Sequence, residues 1–96
     1  MQSTTTQPQL SLSPTVAYDS TTDTYAAWCD QLAVATSAPT EQEAKAALVD
    51  AMRVAAEYVL SHLRSASAHM FAYAPYAEAV ASRGDEELTA LIDVNP

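Results

Sequence analysis

The pattern of apolar and polar residues predicts one long helix in the middle of the chain. No Gly or Pro occurs between Glu41 and Ala74. Thr40 followed by Glu43 has the spacing of a capping box, in which both side chains bond backbone N–H groups at a helix start. Beyond it, apolar residues and histidines recur every three or four positions, as along a helix–helix seam: Leu48, Met52, Ala55, Val59, His62, Ala66, His69 and Tyr73. We therefore expect a helix over about 41–74.

The length of this helix sets a packing problem. At 1.5 Å per residue it would extend about 50 Å. A compact chain of 96 residues is only roughly 32 Å across. The helix should therefore project, kink or pack on another molecule, and its second half, from His62 to Tyr73, is the part that we expect to contact another subunit.

Three further helices are predicted around the long one. Tyr25, Trp28, Cys29 and Leu32 recur at helical spacing within about 22–36, before the break at Pro39. Pro75 is suited to open a short helix that ends near residue 83. Acidic residues at 85–87 precede a last helix with Leu88, Leu91 and Ile92 on one face. No segment has the pattern of a core strand, so the prediction is an all-α bundle of three to four helices, forming a single domain over residues 21–96.

The first 20 residues differ in composition from the rest. They are rich in Ser, Thr and Gln and contain no Lys or Arg, which predicts an extended or disordered N-terminal arm. Leu10, Leu12, Val16 and Tyr18 alternate with polar residues, a pattern suited to extended docking or strand addition on a neighbouring subunit. A flexible tail without a binding role is the alternative.

The charge balance restricts the class of partner. The net charge is −8, and the four Lys and Arg residues are dispersed, so direct nucleic-acid binding is not expected. The acidity favours solubility, a basic protein partner or a salty environment. There is no signal-peptide pattern and no apolar run of the roughly 20 residues needed to cross a bilayer. The prediction is a soluble protein, cytoplasmic when made, without a membrane partner.

The residues that could carry chemistry favour packing roles. His62 and His69 are about 10.5 Å apart along a helix, too far for one metal ion within one chain, so we interpret them as interface or core-edge residues. The single cysteine, Cys29, has no base indicated nearby and is interpreted as a buried structural thiol. No catalytic, metal-ligating or cofactor-binding residue is predicted, and the chain is not expected to be an enzyme.

Part of the chain resembles a known family. Tyr25 and Trp28 lie on the predicted first helix and precede a loop rich in Thr and acidic residues and then an Ala-rich helix. The further matching positions are Thr40, Glu41, Glu43, Lys45, Ala47, Leu48, Ala51, Tyr58 and Val59. Over about residues 23–59 this arrangement resembles the front half of the head–tail connector (head-completion) proteins of tailed bacteriophages. The resemblance implies a helical subunit that assembles into rings between portal and tail, with portal- or tail-type partners and a place in the virion.

These observations favour a structural assembly or adaptor subunit that forms homo-oligomers through its long helix and its arm. A small acidic inhibitor that mimics nucleic acid toward a basic partner is the alternative, and a helical transcriptional or signalling adaptor is a third option. An aromatic cluster around Pro75 is interpreted as either a contact patch or the small core of the last helices. The predicted interaction residues are Leu10, Leu12, Val16, Tyr18, Met52, Val59, His62, His69, Phe71, Tyr73 and Tyr76.

Overall fold

The computed structural model describes residues 12–62 and 72–95, which form a mixed sheet packed against helices. The strands are β1 (Thr15–Asp19), β2 (Thr24–Cys29), β3 (Val34–Ala38) and β4 (Asp93–Asn95). The α-helices of the described part are α1 (Glu41–Ser61), α2 (Ala74–Ala81) and α3 (Asp85–Leu91), and a 3₁₀ turn spans Asp30–Leu32. The strand order is β3-β2-β1-β4, with β4 parallel to β1 and the other pairs antiparallel. The all-α prediction is therefore wrong, and the fold is α/β.

The predicted helix over about 22–36 is replaced by β2, the 3₁₀ turn and β3. Tyr25, Ala27 and Cys29 alternate with period two. Tyr25 and Ala27 pair with both neighbouring strands, and Cys29 pairs with β3. Asp23 and Ala33 have positive φ angles of 56° and 55°, which a right-handed helix does not accommodate. The apolar positions are compatible with either period, and the hydrogen bonds from two flanking strands decide between them.

Part of the predicted arm belongs to the sheet. Thr15–Asp19 form β1, and Leu12 and Val16 are buried in the chain's own core. Gln31 fixes the entry to β1, because its Oε1 accepts from the Ser13 N–H at 3.0 Å and its Nε2 donates to Ser13 Oγ at 2.8 Å. Residues 1–11, with Leu10, lie outside the described part of the chain.

The start of the long helix is confirmed and its predicted end is wrong. Thr40 is the N-cap of α1, and its hydroxyl oxygen accepts from the Glu43 N–H at 3.1 Å while the hydroxyl donates to Glu43 Oε1 at 2.9 Å. The helix ends at Ser61 with His62 as its C-cap. Residues 63–71 lie outside the described residues. The predicted short helix at Pro75 and the helix that starts at Asp85 are both present, as α2 and α3.

The core is formed where α1 lies across one face of the sheet. Within the sheet the helix contacts β3 most and β2 next, and it packs at least as extensively on α2. Its buried residues are Ala44, Leu48, Val49, Met52, Ala56 and Val59. Val16, Ala27 and Cys29 face it from the strands. Side chains alternate along a strand, so Trp28 lies on the opposite side of the sheet, paired with Thr15 and Ala35. Burial of the α1 stripe therefore organises the whole domain.

Arg53 connects α1 to the last two helices on the side away from β3. Its Nε donates to Asp85 Oδ1 at 2.6 Å, and one terminal nitrogen donates to the Arg83 carbonyl at 2.8 Å. Asp85 is the first residue of α3, where a carboxylate is favoured by the helix dipole. The turn between α2 and α3 is thereby held against α1.

Leu48→Ala should lower the free energy of unfolding by about 3 kcal/mol, because Leu48 is fully buried between α1 and the sheet. Urea unfolding followed by circular dichroism measures the change. Val54→Ala is the matched control: Val54 is 62% exposed, so a change within about 0.5 kcal/mol is expected. Equal effects of the two substitutions would contradict the described packing of α1.

Ala33→Gly should raise the free energy of unfolding by about 0.5–1 kcal/mol. Ala33 has a φ of 55°, a left-handed conformation that costs an L-residue roughly 1–2 kcal/mol, whereas glycine adopts it freely. The greater entropy of glycine in the unfolded chain offsets part of the gain. The same urea experiment tests it, with Ala35→Gly as the control, since glycine within strand β3 should destabilise.

Candidate functional site

An open apolar groove separates α1 from the start of β3. Its volume is about 740 Å³. One wall is formed by the end of the 3₁₀ turn and the first residues of β3, the other by the middle of α1. The lining residues are Leu32, Ala33, Val34, Ala35, Ala51, Val54, Ala55, Tyr58, Val59 and Tyr73. Among the described residues of this lining there is no carboxylate, amine or imidazole, so they offer apolar surface and two phenol groups.

Small residues on α1 create the groove and larger ones border it. Ala51 and Ala55 are one turn apart and leave space beside the strand, while Val54 and Tyr58, also one turn apart, stand beside them. Val54 is 62% exposed and Tyr58 54% exposed. The Tyr58 ring stacks on His62, with the ring centroids 4.2 Å apart. This stacking contact restricts the Tyr58 phenol to a position near the end of the helix.

The strand beside the groove is an edge of the sheet. β3 pairs with β2 on one side only, so its outward N–H and C=O groups have no strand partner among the described residues. The sequence of β3, VATSA, contains neither charge nor proline. Natural edge strands usually carry such protection against pairing with other chains. The opposite edge, β4, is short and includes Asp93. The β3 edge is thus better suited than the β4 edge to pair with a strand of another chain.

Acidic side chains surround the groove without entering it. Asp50 and Glu57 are exposed and lie four residues before and three residues after Val54, on the outer side of α1. Asp30 is exposed at the start of the 3₁₀ turn. The nearest described cations on α1 are engaged elsewhere: Lys45 with Glu41 at 3.2 Å and Arg53 with Asp85 at 2.6 Å. The groove therefore has an apolar interior and a negative periphery.

Two titratable groups with a shifted pKa, Tyr18 and Asp19, lie away from the groove. Tyr18 donates to Asp23 Oδ1 at 2.6 Å, and this hydrogen bond is the main cause that raises the pKa of Tyr18. The Thr21 N–H bonds the Asp19 carboxylate and lowers the pKa of Asp19. Both contacts stabilise the β1–β2 turn. Across residues 12–62 and 72–95, no three His, Cys, Asp or Glu side chains gather closely enough to hold a metal ion. None of the described helices has the length and apolar character to cross a membrane.

The predicted interaction residues occupy several places. Val59 and Tyr73 line the groove. Leu12, Val16 and Met52 are buried in the core, and Tyr76 packs against it. Tyr18 and His62 are exposed, in the first strand and at the end of α1. Leu10, His69 and Phe71 lie outside the described residues.

Sequence reasoning missed most of the groove. Val54 and Tyr58 lie one turn apart beside the predicted seam. They make the apolar face of the helix wider than the stripe that a core needs, and this width was the available signal in the sequence. No sequence pattern indicated the groove wall that β3 forms, because this segment was predicted as helix.

Comparisons of the chain with protein-family models, with curated proteins and with solved structures found no match.

Cys29 should react with a thiol reagent such as DTNB at least about 100-fold more slowly in the folded chain than in urea. Its side chain is fully buried in strand β2, and burial raises the pKa of the thiol, so the reactive thiolate is scarce at neutral pH. The absorbance of the released thiolate measures the rate. Rapid labelling of the folded chain would contradict the position of Cys29 on the core face of β2.

Proposed function

We propose that the chain is a non-enzymatic assembly or adaptor subunit that binds a protein partner at the groove and the adjoining β3 edge. The observation that carries this proposal is the combination of an open apolar groove with an uncharged edge strand that, within residues 12–62 and 72–95, pairs on one side only. Exposed apolar surface of this kind commonly marks a protein contact. Strand addition at an edge is an established mode of polypeptide recognition, in which the main chain supplies affinity and the side-chain pockets supply specificity.

The chemistry of the lining favours binding over reaction. A general acid or base needs a group that titrates near neutral pH within reach of a substrate. The lining side chains described here are aliphatic apart from Tyr58 and Tyr73. The backbone groups at the β3 edge favour a polypeptide over an apolar small molecule as the ligand, because only a polypeptide forms a row of hydrogen bonds with a strand.

The exposed side chains of the groove would contribute part of the free energy of binding to a partner. Fully burying a Val or a similar apolar side chain yields roughly 1.5–3 kcal/mol. Val54 and Tyr58 are each more than half exposed, so covering both contributes on the order of 2–3 kcal/mol. Several strand hydrogen bonds at about 1 kcal/mol each add to this. Association costs at least about 4 kcal/mol of translational and rotational freedom, so these gains correspond to a weak and reversible contact.

The sequence resemblance suggests a specific form of this proposal: a head–tail connector role, with portal- or tail-type partners and a place in the virion. The apolar groove supports the general part, assembly through protein contacts. The same proposal includes synthesis of the chain in the cytoplasm. The acidic-inhibitor alternative draws on the net charge of −8 and on the negative periphery of the groove.

A phage-displayed library of random peptides, selected on the full chain, tests the proposal. We expect enriched peptides that carry alternating or helically spaced apolar residues and that bind Tyr58→Ala at least about 10-fold more weakly, the effect of losing a central tyrosine anchor.

Tyr18→Ala is the matched control, because Tyr18 is also an exposed tyrosine, at 48%, but lies on β1 away from the groove. Two results would refute the groove as a protein-binding site. One is a set of peptides with the same affinity for both variants and for the unmodified chain, and the other is a selection without enrichment. Circular dichroism of both variants verifies that they are folded.

A further inference from the structure

We infer that the partner at this surface is a second copy of the chain, whose β3 pairs antiparallel with β3 of the first copy across a two-fold axis. This inference rests on the proposed function, because it assigns the occupant of the same groove and edge. An antiparallel pair of identical strands is two-fold symmetric by construction, so each copy uses the same residues. Two four-stranded sheets then form one continuous sheet.

The position of α1 makes the surface self-complementary. Among the strands, α1 contacts β3 most and β2 next, so it lies toward the side of the sheet that would meet the partner. Pairing places the strands about 4.8 Å apart, and packed helices require about 8–10 Å between their axes. With both α1 helices on the same face of the joined sheet, the groove lies in the space between them. Val54 and Tyr58 of each copy would fill that space.

The other edge of the sheet is a poorer candidate. β4 has three residues and includes Asp93, and Pro96 follows directly after Asn95. Charge, proline and short length all hinder edge-to-edge pairing. β3 has five residues and no charge, so a symmetric sheet extension is expected at β3.

The first eleven residues are a less suitable occupant than a second copy. They lie outside the described part, and the bulky apolar residues among them are Met1 and Leu10. Two such residues offer little to a groove of about 740 Å³. A second copy brings an exposed Val54, an exposed Tyr58 and a complete strand edge.

The size of the surface indicates a reversible dimer. A strand of five residues is about 17 Å long at 3.4 Å per residue. The helix layer adds about 10 Å to its height. Together with about 10 Å for the sheet layer, this strip covers roughly 350 Å² per copy, or about 700 Å² in total, which corresponds to a weak and transient contact and not to a stable interface. We therefore expect a monomer–dimer equilibrium that depends on concentration.

Charge gives this dimer a distinctive salt dependence. Each copy carries a net charge of −8, and Asp30, Asp50 and Glu57 lie around the uncharged contact surface. The two copies repel one another at low ionic strength, and salt screens the repulsion. Added salt should strengthen the dimer. A basic partner in the groove would show the opposite dependence.

Sedimentation equilibrium of the full chain, over a concentration series at about 50 mM and about 500 mM NaCl, tests the inference. We expect an average mass that rises from 10.2 kDa toward twice that value, and a dimer that is several-fold tighter at the higher salt concentration. Val54→Glu should shift the equilibrium toward monomer by at least about 10-fold, because it places a carboxylate in the contact.

Val94→Glu is the matched control: it adds the same charge at an exposed valine, 46% accessible, on the opposite edge strand. It should dimerise nearly as well as the unmodified chain. Hydrogen exchange provides a readout without substitution, since the amides of β3 should exchange more slowly in concentrated than in dilute solution.

Four outcomes would overturn the dimer. These are a monomer at every concentration, equal effects of the two Val→Glu substitutions, weakening by salt, and β3 amide exchange that is independent of concentration. If the chain stays monomeric while selected peptides still depend on Tyr58, the assignment of a second copy fails and the proposed function stands. If the peptide selection fails as well, both fail.

Discussion

Burial of one apolar stripe of α1 against a small sheet is the interaction on which the rest of the structure depends. The stripe includes Leu48 and Met52, both without solvent exposure, and it meets Val16 and Ala27 on the strands. α2 and α3 pack on this helix and hardly at all on the sheet. A chain of this size buries only about 60–65% of its unfolded surface, so loss of this one contact would leave little to hold the other elements together.

The same contact explains why the candidate site lies where it does. Because α1 lies toward β3, the helix and the unpaired strand edge are close neighbours. Ala51 and Ala55 do not fill the space between them, and the groove results. A helix placed over the centre of the sheet would have left an edge without an adjacent apolar pocket. The proposed assembly role thus follows from an off-centre helix, a bare edge and two exposed apolar side chains.

The elements with strong local signals were predicted correctly. Thr40 and Glu43 begin α1, Pro75 lies in the first turn of α2, and acidic residues begin α3. The segment over about 22–36 was predicted as helix because Tyr25, Trp28 and Leu32 recur at helical spacing. Its Thr, Val and aromatic content was equally compatible with strands. Pairing with β1, which local sequence does not reveal, selected the sheet.

The sequence by itself determined the helix starts, the acidic and uncharged segments, and an apolar surface larger than one small core requires. These properties arise from residues close together in the chain, through capping, backbone restriction and charge. The tertiary structure alone decided that Thr24–Cys29 and Val34–Ala38 are strands, that β4 returns beside β1, and that β3 is left at the edge next to α1. Strand pairing and groove formation depend on residues that are distant in sequence, and their energies appear only when the chain brings those residues together.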